Sequence, residues 1–344
     1  MEKFKDLPLV CICIPTYNAE TTIKDMLQSV LSQTYENLVI HISDNASCDK
    51  TLEILDDFSD HRLNIHRFKN NIGAEGNFNR CIQLSEGEFT AIFHADDFYE
   101  KHIIEIQIAY LTADPNVGAI FTAARTIDTN GTLRKLIGRS GTKEISIEKL
   151  NFRSLFKKIL KKGNFIVCPS AMVRTKIYKN EIKHWRGELF RSSADLDVWL
   201  RIASEHLVGF IAEPLMRYRI DSNQFSSSVR LRTEKADFLT VIDFYLNSSS
   251  VETMLDSQDL SNINQQILND RLWRAINHFI NGNVQEAGDL ISGFLSIENL
   301  LNGLRSRRGI LMIASGVALK LMVALKMKKS GKAIIVMLRT AIDK

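Results

Sequence analysis

The stretch "FTAIFHADDFYE", residues 89–100, places two adjacent aspartates, Asp96 and Asp97, directly after a run with the composition of a buried strand. Neighbouring carboxylates repel each other and resist burial, so a divalent cation is the simplest partner that would hold them together. The alternative is a helix start, because acids also suit the first turn of the helix suggested by "FYEKHIIEIQIAYL". The stretch therefore indicates either a metal site or a helix N-terminus at the end of a buried strand.

Strand-like and helix-like stretches alternate through the first part of the chain. Helical spacing of apolar residues is clearest in "ETTIKDMLQSVLSQ" (20–33), and a second helical pattern follows a Gly- and Asn-rich loop at 71–85. The strand-like runs between the helices lie at 9–15, 38–43, 63–68 and 89–94. This alternation predicts an α/β fold in which a mostly parallel central sheet is flanked by helices.

The segments that follow these strands are the predicted ligand site, because ligands of such sheets bind beyond the carboxyl ends of the strands. The four segments are "PTYN" (15–18), "SDNAS" (43–47), "KNNIG" (69–73) and "HADD" (94–97). Taken singly, Pro15 and Asn18 also suit a turn, and Asp44 also suits a cap before the next helix. Taken together, the four segments are expected to converge on one site.

Composition and charge separate the body of the chain from its C-terminus. With 45% hydrophobic and 24% charged residues, the 344-residue chain can build a substantial core and is neither disordered nor fibrous. The net charge of +4 conceals a basic tail, since residues 301–344 hold ten Lys or Arg and a single acid, Asp343. The sequence lacks a secretory signal and an apolar run of about 18 residues, which predicts a cytoplasmic protein without a membrane span.

Helical patterns replace the strand–helix alternation after about residue 230. We expect a catalytic-sized domain at 1–228, a helical extension at 229–300, and a basic amphipathic segment at 301–344. In the last segment, "GILMIASGVALKLMVALKMKKSGKAIIVMLRTAI" is apolar and surrounded by basic residues. It is predicted to lie on an anionic membrane surface, and the alternative is a helix packed on the body of the protein.

Four motifs in a fixed order carry a resemblance to a known family. They are "CICIPTYNAE", "ISDNASCDKT", "NNIGAEGNFNRCIQLSEGEFTAIFHADDFY" and "SSADLDVWLRIA". Together they resemble the inverting glycosyltransferases of family two, whose fold is the glycosyltransferase A type, over roughly residues 7–225. The resemblance implies transfer of a sugar from a nucleotide diphosphate sugar to a hydroxyl group.

The resemblance also implies which residues bind the donor. Asp44 matches a carboxylate that accepts a hydrogen bond from a pyrimidine imide, which favours a uracil or thymine nucleotide over an adenine nucleotide. Of these two donors, a UDP-sugar is expected before a dTDP-sugar. Asp96 and Asp97 match the DXD-like motif that holds Mg²⁺ or Mn²⁺ against the diphosphate. The full set of expected donor-binding residues is Pro15, Thr16, Tyr17, Asp44, Asn45, Gly73, Asn79 and Asp96.

Inversion requires a base that takes the proton of the attacking hydroxyl, and one positioned carboxylate suffices. The resemblance assigns this role to Asp195 in "ADLDVWLRIA", with Asp197 as a supporting residue. The alternative is that Asp195 only caps the helix and that Asp197 pairs with Arg201 at the i, i+4 spacing.

Several positions depart from the pattern of the family. His94 stands where many relatives carry an acid, Ala194 replaces the usual glutamate before the base, and Asp221 stands where a histidine is common. Phe78 replaces a basic residue, and Arg217 and Arg219 are candidate contacts of the diphosphate. His94, Asp197, Arg219 and Asp221 are therefore expected to support the site. The departures also favour the competing hypothesis, a non-catalytic module that binds a nucleotide sugar.

The expected partners are a nucleotide-sugar donor, a lipid-linked saccharide acceptor and an anionic membrane surface that binds the C-terminus. The basic tail suggests assembly of a bacterial surface polysaccharide on the inner face of the cell membrane. A dinucleotide oxidoreductase is disfavoured, because no G-x-G-x-x-G motif follows the first strand. The sequence does not point to nucleic acid, and it does not indicate an oligomeric state.

Overall fold

The computed structural model describes residues 7–138, 147–220, 231–304, 307–325 and 327. These residues form two compact units. The first unit holds the described residues up to 156 together with 164–220, and the second holds 157–163 and the described residues from 231 onward. The domain boundary expected near 228 falls within 221–230, outside the described residues.

Ten strands of the first unit belong to one sheet. They are β1 (Val10–Thr16), β2 (Leu38–Asp44), β3 (Leu63–Arg67), β4 (Phe89–Ile92), β5 (Phe98–Tyr99), β6 (Val117–Ile127), β7 (Leu133–Ile137), β8 (Ile147–Leu150), β9 (Met172–Arg174) and β10 (Leu207–Arg219). The helices that begin in this unit are α1 (Ile23–Leu31), α2 (Thr51–Asp56), α3 (Gly73–Leu84), α4 (Ile103–Ala113), α5 (Phe152–Lys162), α6 (Gly187–Phe190) and α7 (Ala194–Glu205).

The main path of the sheet is β3-β2-β1-β4-β9-β6-β10-β5, with β7 beside β6 and β8 beside β10. The half formed by β3, β2, β1 and β4 is parallel, as the sequence predicts. Beyond β4 only β6 and β10 pair in parallel, and the other pairings among the described residues are antiparallel. The longer pairings of the sheet are therefore parallel, in agreement with the predicted mostly parallel sheet, and the shorter pairings are antiparallel. The overall α/β architecture is confirmed.

Burial of both faces explains why the central strands read as continuous apolar runs. All four residues of β4 and the first five of β1 are buried. On one face, α1 contributes Ile23, Met26, Leu27 and Val30, which recur at helical spacing and are fully buried. Each such side chain stabilises the fold by about 1.5–3 kcal/mol relative to exposure. This rigid core fixes the positions of the loops that follow the strands.

The second unit is helical. Its remaining helices are α8 (Asp237–Leu246), α9 (Ser249–Glu252), α10 (Ser257–Ile280), α11 (Val284–Ile291), α12 (Ile297–Gly303) and α13 (Arg307–Ala324). Asp256 caps α10, since its carboxylate accepts a bond from the backbone N–H of Asp259, whose side chain reaches back in turn. Leu272, Phe279 and Leu319 belong to the core of this unit. Among the described residues, no helix combines the length and apolar character that crossing a bilayer requires.

Candidate active site

The carboxyl ends of β1 and β2 lie side by side, with Thr16 in register with Asp44. Asn77 of α3 binds to the end of β2. Its Nδ2 donates to the backbone oxygen of Ser43 (2.8 Å), and its Oδ1 accepts from the Ser43 hydroxyl (2.6 Å). Its Nδ2 also lies 3.5 Å from the Thr16 carbonyl oxygen. Sequence reasoning missed Asn77. The sequence did contain a sign of this role, because Asn77 is a polar residue on the face of α3 that is buried against the ends of the strands.

Asp44 is almost completely buried at the end of β2. Its carboxylate accepts bonds from the backbone N–H of Ser47 (3.1 Å) and from the Ser47 hydroxyl (2.5 Å). This is the turn geometry that the sequence offered as the alternative to a donor contact. A carboxylate can accept about four hydrogen bonds, so a turn role leaves room for a bond to a ligand.

Asn45 braces the loop before α3. Its Nδ2 donates to Asn71 Oδ1 (2.8 Å) and to the Gly73 carbonyl (3.1 Å), and its Oδ1 accepts from Ile72 N (3.1 Å) and Arg80 Nη1 (2.9 Å). These four bonds use the hydrogen-bonding capacity of an amide side chain. Asn45 therefore shapes the predicted donor site through the loop.

Gly73 begins α3 with a φ of +78°, a conformation that glycine adopts without strain. A Cβ at this position would have nothing within 4 Å, so the space above the loop is open. Nearby, Tyr17 is 49% exposed, whereas Thr16 is buried and its hydroxyl donates to the Ile14 carbonyl (3.2 Å). In the first predicted donor segment, Tyr17 and Asn18 are exposed and Pro15 is half-buried, so the Tyr17 ring is the largest surface that a ligand can reach.

The α3 helix is tied to the segment before α6. Asn79 Oδ1 accepts from the backbone N–H of Trp185 (2.8 Å). The adjacent Phe78 stacks on Trp185, with ring centroids 4.4 Å apart and planes at 18°, and meets the His94 ring edge-on at 5.5 Å. The position where many relatives carry a positive charge is therefore part of an aromatic contact in this protein.

The acidic motif and His94 form one cluster. The ligand atoms of His94, Asp96 and Asp97 lie within 4.8 Å of one another, and this is the group found among the described residues that could hold a metal ion. Arg219 fixes the cluster from β10, since its backbone N–H donates to Asp97 Oδ1 (2.9 Å) and its Nε donates to the Asp96 carbonyl (2.9 Å).

Two buried polar atoms of this cluster, Asp97 Oδ2 and His94 Nε2, have no hydrogen-bond partner among the residues that the structure describes. An unsatisfied buried polar group costs about 1–3 kcal/mol. Burial and the charge of Asp96 raise the pKa of Asp97 well above its usual range, and burial lowers the pKa of His94. A divalent cation would favour the ionised form of Asp97 and satisfy both atoms, so the residues fit a metal ion.

Asp195 lies in the first turn of α7 and is half-buried. Burial raises the pKa of its carboxyl group to about 6, although backbone N–H groups at Leu196 and Asp195 lower it in part. Aromatic contacts connect α7 to the acidic cluster. Trp199 of α7 meets Trp185 edge-on, with ring centroids 6.3 Å apart, and Trp185 stacks on the Phe78 ring that meets His94. The helix that carries Asp195 is therefore packed, through these rings, against the residues of the acidic cluster.

Asp197 is fully buried between two arginines. Its Oδ2 accepts from Arg186 Nε (2.9 Å) and Arg201 Nε (3.0 Å), and Arg186 Nη2 also contacts Oδ1. Arg201 in turn donates to the carbonyls of Ile182 (2.9 Å) and His184 (2.8 Å). The i, i+4 pair anticipated from the sequence is present, and Arg186 extends it to a triad. The triad anchors the start of α7 and hence the position of Asp195.

The neighbouring arginine of β10, Arg217, makes different contacts from Arg219. Arg217 pairs with Glu100 (2.8 Å) and stacks over the ring of Phe98, 4.6 Å from its centroid. Arg217 and Arg219 both line a cleft of about 460 Å³ beside α1. Asp221 lies outside the described residues.

This fold, with the acidic cluster at the end of β4 and a carboxylate opening a later helix, is the glycosyltransferase A type. The family model of glycosyl transferase family 2 matches residues 11–181. An uncharacterized glycosyltransferase of Methanocaldococcus jannaschii is 30% identical over 235 residues, which cover 67% of this chain and 77% of the relative. The chain belongs to glycosyltransferase family 2.

Another relative agrees with this assignment, and two solved structures share the fold. The UDP-Glc:alpha-D-GlcNAc-diphosphoundecaprenol beta-1,3-glucosyltransferase WfgD of Escherichia coli is 26% identical over 64% of this chain and 80% of its own length. The crystal structure of S. aureus TarS 1–349 in complex with UDP-GlcNAc has a TM-score of 0.61 at 17% identity and covers 92% of both chains. The mannosyltransferase PcManGT of Pyrobaculum calidifontis, in complex with GDP-Man and Mn²⁺, has a TM-score of 0.54 at 15% identity over 96% of this chain and 85% of its own.

Proposed function

We propose that this glycosyltransferase is metal-dependent and inverting, and that it moves a sugar from a UDP-sugar to a hydroxyl of a lipid-linked saccharide. The observation that carries the proposal is the position of Asp195. Its carboxylate, with a pKa raised by burial to about 6, lies in the first turn of α7. The contacts from Trp199 of α7 through Trp185 and Phe78 reach the acidic cluster at His94. A base and an acidic cluster at one location are what direct displacement at an anomeric carbon requires.

In this mechanism Asp195 takes the proton of the acceptor hydroxyl. The hydroxyl oxygen forms a bond to the anomeric carbon while the bond from that carbon to the nucleotide diphosphate breaks on the opposite face. A carboxylate near pKa 6 is largely ionised at neutral pH, yet it is more basic than an ordinary aspartate. The Asp197 triad contributes by holding the helix that carries this base.

Asp96, Asp97 and their neighbour His94 are the residues that would hold a Mg²⁺ or Mn²⁺ ion. When bound, such an ion supplies positive charge against the negative charge that develops on the departing diphosphate. Arg219 keeps the acidic segment in place through its bonds to Asp97 and to the Asp96 carbonyl. The bound Mn²⁺ in the structure of PcManGT supports a metal at this fold.

For the donor, the buried carboxylate of Asp44 is the group that we assign to the nucleobase. Uracil and thymine carry an imide N–H that can donate to a carboxylate, whereas adenine lacks one. The exposed Tyr17 ring offers a face for the base or ribose. The name of the E. coli relative specifies a UDP-sugar donor, which supports the same choice.

A panel of sugar nucleotides tests the donor assignment. In the presence of Mn²⁺, a UDP-sugar at about 100 times its Kd should stabilise the protein by about 2.7 kcal/mol and raise its melting temperature more than GDP- or ADP-sugars do. Asp44→Asn should remove this preference for UDP, and the exposed Asp57→Asn should keep it. A larger shift with a purine nucleotide would contradict the assignment, and binding without transfer or donor hydrolysis would favour the non-catalytic module.

For the acceptor and the location, the argument depends on α13. Its side chains Ile310, Leu311, Leu321 and Lys320 are exposed, and residues 301–344 contain ten basic residues against one acid. In such a helix, burial of apolar side chains in the membrane and attraction of basic side chains to anionic headgroups both contribute to the free energy of membrane binding. We assign this face to the inner surface of the cell membrane, where a lipid-linked acceptor would be found. The name of WfgD specifies a diphosphoundecaprenol-linked acceptor, which supports the idea. Residues 328–344 lie outside the described residues.

Vesicle binding tests the membrane assignment. Sedimentation with vesicles of phosphatidylcholine and phosphatidylglycerol should recover the wild-type chain at low salt, and Leu311→Glu with Leu321→Glu should lower the partition coefficient by at least about ten-fold per leucine removed. Leu260→Glu, at a leucine of α10 that is 54% exposed, is the matched control. Equal binding by the double variant and the wild type would show that α13 does not dock on lipid.

A further inference from the structure

The His94 imidazole is placed as if it were a ligand. Its Nε2 is buried and lacks a hydrogen-bond partner among the described residues, and the same holds for Asp97 Oδ2. Both residues belong to the cluster whose ligand atoms lie within 4.8 Å of one another, and Asp97 is only 2% exposed. Two buried atoms left unsatisfied on neighbouring residues of one cluster are what a cation would satisfy.

The imidazole is also held in place before any ion binds. Phe78 meets its ring at 68° and is backed by the stacked Trp185. On the backbone side, the His94 N–H donates to the hydroxyl of Tyr99 (2.8 Å), and the Tyr99 ring stacks on Phe93. A ring packed against an aromatic side chain, on a backbone that is itself hydrogen-bonded, loses little freedom when it coordinates a metal.

We propose that His94 Nε2 is a direct ligand of the metal and that the site consequently prefers a first-row transition-metal ion such as Mn²⁺ to Mg²⁺. The inference rests on the proposed function, because the same ion would hold the donor diphosphate. Mg²⁺ demands oxygen ligands and gives up its water reluctantly, whereas an imidazole nitrogen suits first-row transition-metal ions, of which Mn²⁺ is the one that also favours carboxylates. A site of one nitrogen and two carboxylates therefore discriminates between the two ions in a way that an all-carboxylate site does not.

The test uses the full chain with Mn²⁺ and no nucleotide. Electron paramagnetic resonance of free Mn²⁺ gives its Kd, competition gives the Kd of Mg²⁺, and pulsed measurements detect hyperfine coupling from a coordinated ¹⁴N. We expect ¹⁴N coupling in the wild type. His94→Asp should abolish that coupling and lower the preference for Mn²⁺ over Mg²⁺ by about ten-fold or more. His61→Asp, at a histidine whose side chain is 91% exposed, should change neither quantity.

Each outcome decides the matter. Absence of Mn²⁺ binding, binding without ¹⁴N coupling, or an unchanged ion preference in His94→Asp would overturn the inference. If His94→Asp fails to fold, the ¹⁴N measurement on the wild type decides alone. If the protein transfers sugar from a UDP-sugar but shows no ¹⁴N coupling, the proposed function stands and His94 is not a metal ligand. If the protein shows ¹⁴N coupling but neither transfers sugar nor hydrolyses the donor, His94 is a metal ligand and the proposed function is wrong.

Discussion

Asp195→Asn should abolish sugar transfer while nucleotide and metal binding stay close to wild type. Asparagine matches aspartate in shape but cannot accept a proton from the acceptor hydroxyl. Loss of a positioned general base costs about 10²–10⁴-fold in rate, and we expect a decrease in kcat of about 10³-fold or more. Transfer from a UDP-sugar, followed by mass spectrometry of the product, measures the rate, and calorimetry measures donor binding.

The pH dependence of kcat/KM in the wild type provides a second test of Asp195 as the base. Because the base acts in its ionised form and its pKa is raised to about 6, kcat/KM should fall about ten-fold for each pH unit below 6 and level off above it. Glu53→Gln, at an exposed acid in the first turn of α2, is the matched control and should keep both rate and profile. Substantial turnover by Asp195→Asn, or a flat profile between pH 5 and 7, would exclude Asp195 as the base.

Asp97→Asn should remove metal-dependent donor binding as well as transfer. The substitution keeps an oxygen that can accept from the Arg219 backbone N–H, so the local fold should survive, but it removes the buried charge that an ion requires. Loss of one charged ligand should raise the donor Kd in Mn²⁺ by about 100-fold and lower kcat/KM by at least the same factor. Calorimetric titration of UDP-sugar, with Mn²⁺ and with EDTA, measures this.

The wild type in EDTA should resemble Asp97→Asn in Mn²⁺, since both lack the ion. Asp289→Asn, at an exposed acid of α11, should bind the donor as the wild type does. Donor affinity that is unchanged in Asp97→Asn and insensitive to EDTA would mean that the acidic cluster serves another purpose. The contrast between the two substitutions separates their roles, because only Asp195→Asn should leave donor binding intact.

The parallel half of the sheet could be predicted from the sequence because each of its elements has a clear local pattern. The run expected at 9–15 is β1 at Val10–Thr16, and the run expected at 38–43 is β2 at Leu38–Asp44. Buried strands are continuously apolar and the helices between them carry a 3.6-residue period, so local pattern and fold agree here. The rule that ligands bind at the carboxyl ends of such strands then predicted which loops to examine.

The other half could not be predicted, because its determinants are short or distant in sequence. Strand β9 has three residues, too few to display a period. The bond between Asn79 and Trp185 joins residues 106 positions apart, and the Arg186–Asp197 contact depends on a loop whose path no local pattern reveals. The stacking of Phe78 on Trp185 likewise appears only in three dimensions.

The insertion of β9 between β4 and β6 has a consequence for biosynthesis. Until the ribosome has released Met172–Arg174, the facing edges of β4 and β6 lack the strand that joins them. Unpaired strand edges invite pairing with other chains. Nascent chains that stop in the interval between β6 and β9 are therefore the ones that most need a chaperone, and truncation there would yield aggregates rather than a nucleotide-binding fragment.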